Sequence, residues 1–309
     1  MWRPALAALC GLAAGCRSGP APGSDAQSSA EPSSTTAAQT APVHTQETAG
    51  TGGGASAADA GHGPPAMPSA LVDAVVNPMH LPPYNGPTGA VAGTVLVRGP
   101  RAPDVPNLDV HACPAALDTY GKLFRSGSPR PDGARPLADA IVVVTGYENY
   151  FLPEKSEAQR VTITDQCAYP ARTIALTFGQ RLEVANDSSL PFAPYIEGGA
   201  QLTVMIAAPR RRGEPVKIFP PRADYYPLRD RLQPFVSGDV YVLRQPLHAV
   251  SDREGRFRID GVPEGKLKVA ARLGAVRDQA FQEVDVRAGE TSKAELVLTY
   301  APRDGGARR

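Results

Sequence analysis

Residues Tyr226–Val242 read YPLRDRLQPFVSGDVYV, and the reading of this stretch decides the fold. It runs into Gly238–Leu243, a short β-branched and aromatic run of the kind that forms a half-buried strand. Just before that run stand Asp230, Gln233, Pro234, Phe235, Val236 and Gly238, a turn-rich frame without helical period. The same texture recurs along the chain: short Val/Ile/Leu/Thr/Tyr runs divided by Gly, Pro and Asp clusters. It predicts strands at Ala90–Val97, Ala140–Thr145, Val161–Thr164, Thr173–Phe178, Arg181–Asn186, Leu202–Ala207, Val216–Phe219, Gly238–Leu243, Arg256–Ile259, Lys266–Arg272, Gln282–Val286 and Ala294–Tyr300. Ala115–Phe124 is the one modest helix candidate. The turns SDREG (Ser251–Gly255) and GVPEG (Gly261–Gly265) place Gly where a positive φ is useful. The expectation is an all-β chain of sandwich type.

Composition shifts sharply along the chain. Residues 16–85 are rich in Ala, Ser, Thr, Gly and Pro, and from Arg17 to Asn85 the charges are Arg17, Asp25, Glu31, Glu47, Asp59 and Asp73. So little apolar side chain cannot offset the entropy of ordering the backbone, which predicts a disordered tether over 16–85. From Gly86 onward the chain holds 30 of its 32 basic and 26 of its 31 acidic residues, a surplus of four that does not point to nucleic acid.

The N-terminus, MWRPALAALCGLAAGC, sets Arg3 before an apolar run and ends in Leu12-Ala13-Ala14-Gly15-Cys16. This resembles the lipobox of bacterial lipoproteins, with Leu12 one place further from the Cys than usual. The resemblance implies a signal peptide over 1–15, a lipid on Cys16, and anchorage to the membrane of the bacterial envelope. Arg17, in place of the Asp that retains many lipoproteins at the inner membrane, favours the outer one. An ordinary secretory signal with an incidental Cys is the alternative. The apolar run falls far short of the ~20 residues that span a bilayer. With Cys10 in the signal and Cys16 lipidated, Cys113 and Cys167 remain, and in an oxidising compartment they most simply form one disulfide.

The last third, AVSDREGRFRIDGVPEGKLKVAARLG (Ala249–Gly274) and FQEVDVRAGETSKAELVL (Phe281–Leu298), resembles the carboxypeptidase regulatory-like, or transthyretin-like, family. GAVAGTVLVRG (Gly89–Gly99) and PLADAIVVVTG (Pro136–Gly146) resemble the start of the same domain. The implied domain is split, 86–150 and 246–300. The resemblance is to a non-catalytic accessory domain and implies no catalysis.

The part between, 155–245, resembles the cupredoxins through TITDQCAYPARTIALTFGQRLEVANDS (Thr162–Ser188) and VKIFPPRADYYPLRDRLQPFVSGDVYVL (Val216–Leu243). Copper-binding relatives supply one His after the first segment and Cys-x-x-His-x-x-Met in the second, and blue copper needs that thiolate and those imidazoles. Here the matching positions hold Phe192, then Asp230 for Cys, Gln233 for His and Val236 for Met, with Pro234, Phe235 and Gly238 keeping the frame. The resemblance therefore implies a cupredoxin-like sandwich with no metal site and no cofactor.

Other constellations are weaker. His44, His62 and His80 lie in the tether, and His111 and His248 stand alone. There is no phosphate loop and no G-x-S-x-G elbow. Arg210-Arg211-Arg212-Gly213 reads as a charged hairpin tip that could meet an anionic headgroup or polysaccharide, and Tyr147, Tyr150, Tyr195, Tyr225 and Tyr226 could line a sugar-binding face. The function expected is a non-catalytic binding or structural module with an envelope protein or polysaccharide as partner. A copper electron-transfer protein using other ligands, and a carbohydrate or cell-wall binding module, are the alternatives.

Overall fold

The computed structural model describes residues 67–153, 158–199 and 203–302; the expected signal peptide, Cys16 and most of the expected tether lie outside them. A first helix, α1 (Ser69–Val76), precedes β1 (Thr88–Arg98). A short 3₁₀ turn and α2 (Leu117–Tyr120) follow, then β2 (Arg135–Pro136), β3 (Ile141–Thr145), β4 (Ala158–Ile163), β5 (Thr173–Thr177), β6 (Arg181–Asn186) and β7 (Pro194–Ile196). The remaining strands are β8 (Val216–Ile218), β9 (Tyr225–Asp230), β10 (Gly238–Leu243), β11 (His248–Val250), β12 (Arg256–Pro263), β13 (Gly265–Arg272), β14 (Gln279–Val286) and β15 (Thr291–Thr299).

These strands make two sandwiches, the second inserted in the first. The first pairs a β12-β1-β15 sheet, with β2 on β1, against a β11-β3-β13-β14 sheet. Its core holds Val91, Val95, Val142, Val144, Phe257, Ile259, Leu267, Val269, Leu296 and Leu298. The period-2 alternation is clean in β12, where Phe257 and Ile259 point in while Arg256, Arg258 and Asp260 face water. Gly93 sits where parallel β1 and β15 approach most closely; a Cβ there would lie 1.7 Å from the Ala294 carbonyl oxygen. Gly255, Gly261 and Gly265 all take positive φ, as the two turn motifs require.

The second sandwich sets β5-β10-β9-β7 against β4-β6-β8 around Ile174, Leu176, Leu182, Val184, Phe192, Leu228, Phe235 and Val240. Every residue of β5 is buried. A strand buried on both faces needs two partners: Ile174 and Leu176 face their own core, while Ala175 meets Ile141 of β3 and Tyr241 of β10 at the seam with the first sandwich.

Several boundaries differ from the sequence reading; β2, β7 and β11 are short strands that were not expected, and the expected helix Ala115–Phe124 is reduced to a 3₁₀ turn and α2. Residues 69–76, placed in the tether by composition, form α1, whose Val72, Val75 and Val76 pack against the second core. The helix exists because Leu71, Val72, Val75 and Val76 recur at i, i+1, i+4 and i+5, and it stops before Pro78. Gly179, at φ +99°, leaves room for Val72, whose Cγ1 would be 2.7 Å from a Cβ. Next, the loop between β1 and β2, expected in the split domain, sends Val110, Ala116 and Tyr120 into the second core, and Cys113 joins Cys167 there. Last, β9 forms where no strand was expected, whereas 203–206 of the expected Leu202–Ala207 strand are irregular.

The disulfide spans 54 residues of sequence and ties that loop to the second core. Replacing Cys113 and Cys167 together by Ser should lower the unfolding free energy by about 4 kcal/mol, the chain-entropy value for such a loop. Denaturant titration checks it; an unchanged midpoint would mean packing alone holds the loop.

Candidate functional site

The residues at the expected metal positions do meet, at one pole of the second sandwich. β7 pairs with β9 so that Pro194 opposes Asp230, and this brings the Pro191–Ala193 segment beside the turn after β9. The turn is held by its own polar groups. Asp230 Oδ1 accepts from the amides of Leu232 and Gln233, both at 2.9 Å, and the Gln233 carbonyl accepts from the Val236 amide at 3.0 Å. Gln233 Nε2 donates to the Pro191 carbonyl at 2.9 Å, and the Arg231 amide donates to the Ala193 carbonyl at 3.1 Å.

Inside the pole, Phe192 and Val236 are fully buried. Phe192 meets Phe235 edge to face with centroids 6.5 Å apart, and Tyr120 lies 6.0 Å from Phe235. Phe192 also bridges to Ala207 through two backbone hydrogen bonds of 3.3 and 2.8 Å. Apolar rings fill the space. What the sequence did not single out is the pair Tyr120 and Tyr169, both buried, with the Tyr169 amide donating to the Tyr120 hydroxyl at 3.2 Å. Residue spacing alone could not reveal the pair, because Tyr169 carries no ligand spacing within its segment and Tyr120 reaches the pole from the loop after β1.

Asp230 is the anomaly. It is buried, its Oδ2 has no hydrogen-bond partner, and the nearby Tyr169 hydroxyl has none either. Burial pushes the Asp230 carboxyl up, against the amides of Ala193, Leu232 and Gln233, which favour the carboxylate. Burial also pushes the Tyr169 phenol well up, with the charges of Tyr120 and Asp230 adding to the shift.

These donors do not fit copper. Phe192 and Val236 offer no ligand atom, Gln233 spends its amide nitrogen on Pro191, and one carboxylate remains where the trigonal set needs a thiolate and two imidazoles. The described histidines stand elsewhere. His111 is exposed, and His248 is half-buried with Nε2 3.3 Å from the Thr177 hydroxyl. Among the described residues no three His, Cys, Asp or Glu side chains converge to hold a metal ion.

The tyrosines proposed as a sugar face are scattered. Tyr147 and Tyr150 stack at 5.6 Å beside Tyr84, lining a small cleft of about 200 Å³ with Met79, Arg244 and Gln245. Tyr195 lies under Arg231, Tyr225 bonds Asp239 at 2.7 Å, and Tyr226 is buried.

No family model matches the chain, and no curated protein matches it. Among solved structures it is similar to amicyanin from Paracoccus versutus, at 16% identity over 29% of this chain and 84% of that one, with a TM-score of 0.24. It is also similar to a methionine-to-glutamine variant of amicyanin in its Cu(I) form, at 19% identity over 28% of this chain and 82% of that one, with a TM-score of 0.23.

The carboxyl of Asp230 gives a pH test. A folded-state pKa raised above the unfolded ~3.9 means the folded protein holds the proton more tightly. The stabilisation is full below the unfolded value and is lost as pH rises through the raised folded one. Asp230→Asn, which mimics the protonated form, should therefore gain stability relative to the parent as pH rises from about 4 to 7. Paired denaturant melts at the two ends check it; a relative stability that falls or stays level toward pH 7 would overturn the reading.

Proposed function

We propose that this chain is a non-catalytic lipoprotein of the bacterial envelope, a binding or structural module built on a cupredoxin-like sandwich that has given up its metal pole. The observation that carries the reading is the packed end formed by Phe192, Phe235 and Val236, with Asp230 and Gln233 committed to the backbone. A pole that accepts an ion presents converging donors; this one presents rings and internal hydrogen bonds. The lipid on Cys16 and the long Ala/Ser/Gly/Pro-rich segment after it would hold two joined sandwiches away from the membrane surface, which suits capture of an envelope component.

The test is metal content by mass spectrometry on the mature chain, after dialysis against Cu(II) and then against buffer. Copper well below one equivalent supports the module. Stoichiometric copper, reduced by changing His111 or His248, would overturn it in favour of electron transfer through other ligands.

A further inference from the structure

The outer face of the β4-β6-β8 sheet carries a groove of about 530 Å³. Its charges come from separate elements. The strand register aligns Arg160 of β4 with Glu183 of β6, and Glu183 with Lys217 of β8, one row across three strands. Arg181 stands two residues before Glu183 on the same face, and Arg211 and Glu214 come from the loop before β8. Ala185, Ala207, Ala208 and Gly213 keep the floor low, so the long side chains form the walls.

Glu183 organises this face. Its carboxylate is nearly buried and accepts from Arg160 Nε at 2.9 Å and from Arg181 Nε at 2.7 Å. Burial raises the Glu183 carboxyl, but the two guanidinium groups outweigh it and hold it below the ordinary value. Both arginines are thus gripped at Nε, and the Arg160 side chain is 80% exposed. Across the groove Arg210 and Arg211 both occupy the left-handed region, at φ +54° and +53°, and Arg211 forks onto Asp187. Two successive non-Gly residues in that region are sterically unfavourable, and such geometry collects at ligand clamps. Among the described residues four cations line the groove, Arg160, Arg181, Arg211 and Lys217, with Glu183 and Glu214, and the turn that carries Arg211 adds Arg210 and Arg212 in sequence, while the whole chain is only +1. Among the described residues, cations outnumber acids in the groove lining.

We infer that this groove binds an acidic polysaccharide, with the row from Arg160 to Lys217 meeting successive carboxylates along the chain. The proposal rests on the module reading above and gives it a ligand class. Planar guanidinium forks suit carboxylates, and the outer strands of the row lie ~10 Å apart, so the cations are spaced for a repeating anion and not for one small ion. The groove is concave and shows no large exposed apolar side chain, which favours an elongated soluble chain over the plane of a bilayer.

The test is calorimetric titration of the mature protein with a short oligogalacturonate, at low and high salt (about 50 and 300 mM). A neutral malto-oligosaccharide of equal length and anionic phosphatidylglycerol vesicles are run beside it. Expected are binding of the oligouronate, weakening at high salt, and no binding of the neutral sugar. Arg160→Gln and Lys217→Gln should each weaken binding about tenfold, while Arg258→Gln, on the first sandwich, leaves it unchanged. No uronate binding overturns the proposal. So does equal loss in Arg258→Gln, which would mean diffuse charge attraction, or binding to vesicles alone. None of these results bears on copper at the opposite question, the packed pole, so a failed groove and a failed module are told apart by the metal measurement.

Discussion

The two sandwiches are held together through one buried carboxylate. Asp139, itself in the left-handed region at φ +65° just before β3, accepts from Arg125 Nε at 2.7 Å and Nη2 at 2.5 Å, and from the Arg172 amide at 2.8 Å. Arg172 opens β5 of the second sandwich, and its guanidinium donates onward to the carbonyls of Lys122 and Leu123. The Asp139 amide in turn donates to the Ser251 carbonyl, beside the turn that leads into β12. One residue therefore fixes the entry to β3, the entry to β5 and, through Arg125, the loop between β1 and β2. Burying ions is costly, and the cost is offset where each oxygen of the carboxylate finds donors. Asp139 meets that condition; one nitrogen of Arg125, Nη1, has no hydrogen-bond partner.

With that clasp in place the remaining contacts follow. The chain leaves the first sandwich after β3 and returns at β11, adjacent strands of one sheet, so the insertion opens and closes at neighbouring points. Ile141, Ala175 and Tyr241 then meet across the seam, and Arg272 lies 5.1 Å over the Tyr241 ring. The loop after β1 completes the joint by crossing over and packing Tyr120 into the foreign core. Two sandwiches joined by a salt bridge, an apolar seam and a cross-linked loop behave as one body in their described parts.

How much of this the sequence shows depends on whether the information is local. The β12–β13 region was legible because Phe257, Ile259, Leu267 and Val269 alternate with charges and Gly255, Gly261 and Gly265 mark its turns. That Asp230, Gln233 and Phe192 lie at one end of the second sandwich follows from strand pairing and the turn after β9, which local sequence does not display. Strand β9 itself was not legible: Pro227 and the charged pair Arg229–Asp230 argue locally against a strand, and pairing with β7 and β10 overrides them. The helix α1 escaped because its Ala/Ser-rich surroundings dilute four apolar residues that matter only once Gly179 and the second core accept them. The loop that crosses from one sandwich to the other could not be read at all, since a sequence does not say which of two cores a lone Tyr120 enters.

Three acids show why position and not residue type decides what a carboxylate can do here. Asp139 is buried with two arginines around it and becomes a structural hinge pin. Glu183 is nearly as buried, but its arginines come from the solvent side, so neutralising it organises a surface. Asp230 is buried with no cation in contact, two backbone amides on one oxygen and nothing on the other. Such a carboxylate is held in place by geometry while its charge is opposed by its surroundings, and protonation is the inexpensive way out. That combination is the reverse of a metal ligand, which must stay ionised and keep its free oxygen open to the ion. Asp230 serves here as a capping group for the turn after β9. Of the three, Glu183 alone sets cationic side chains toward the surface.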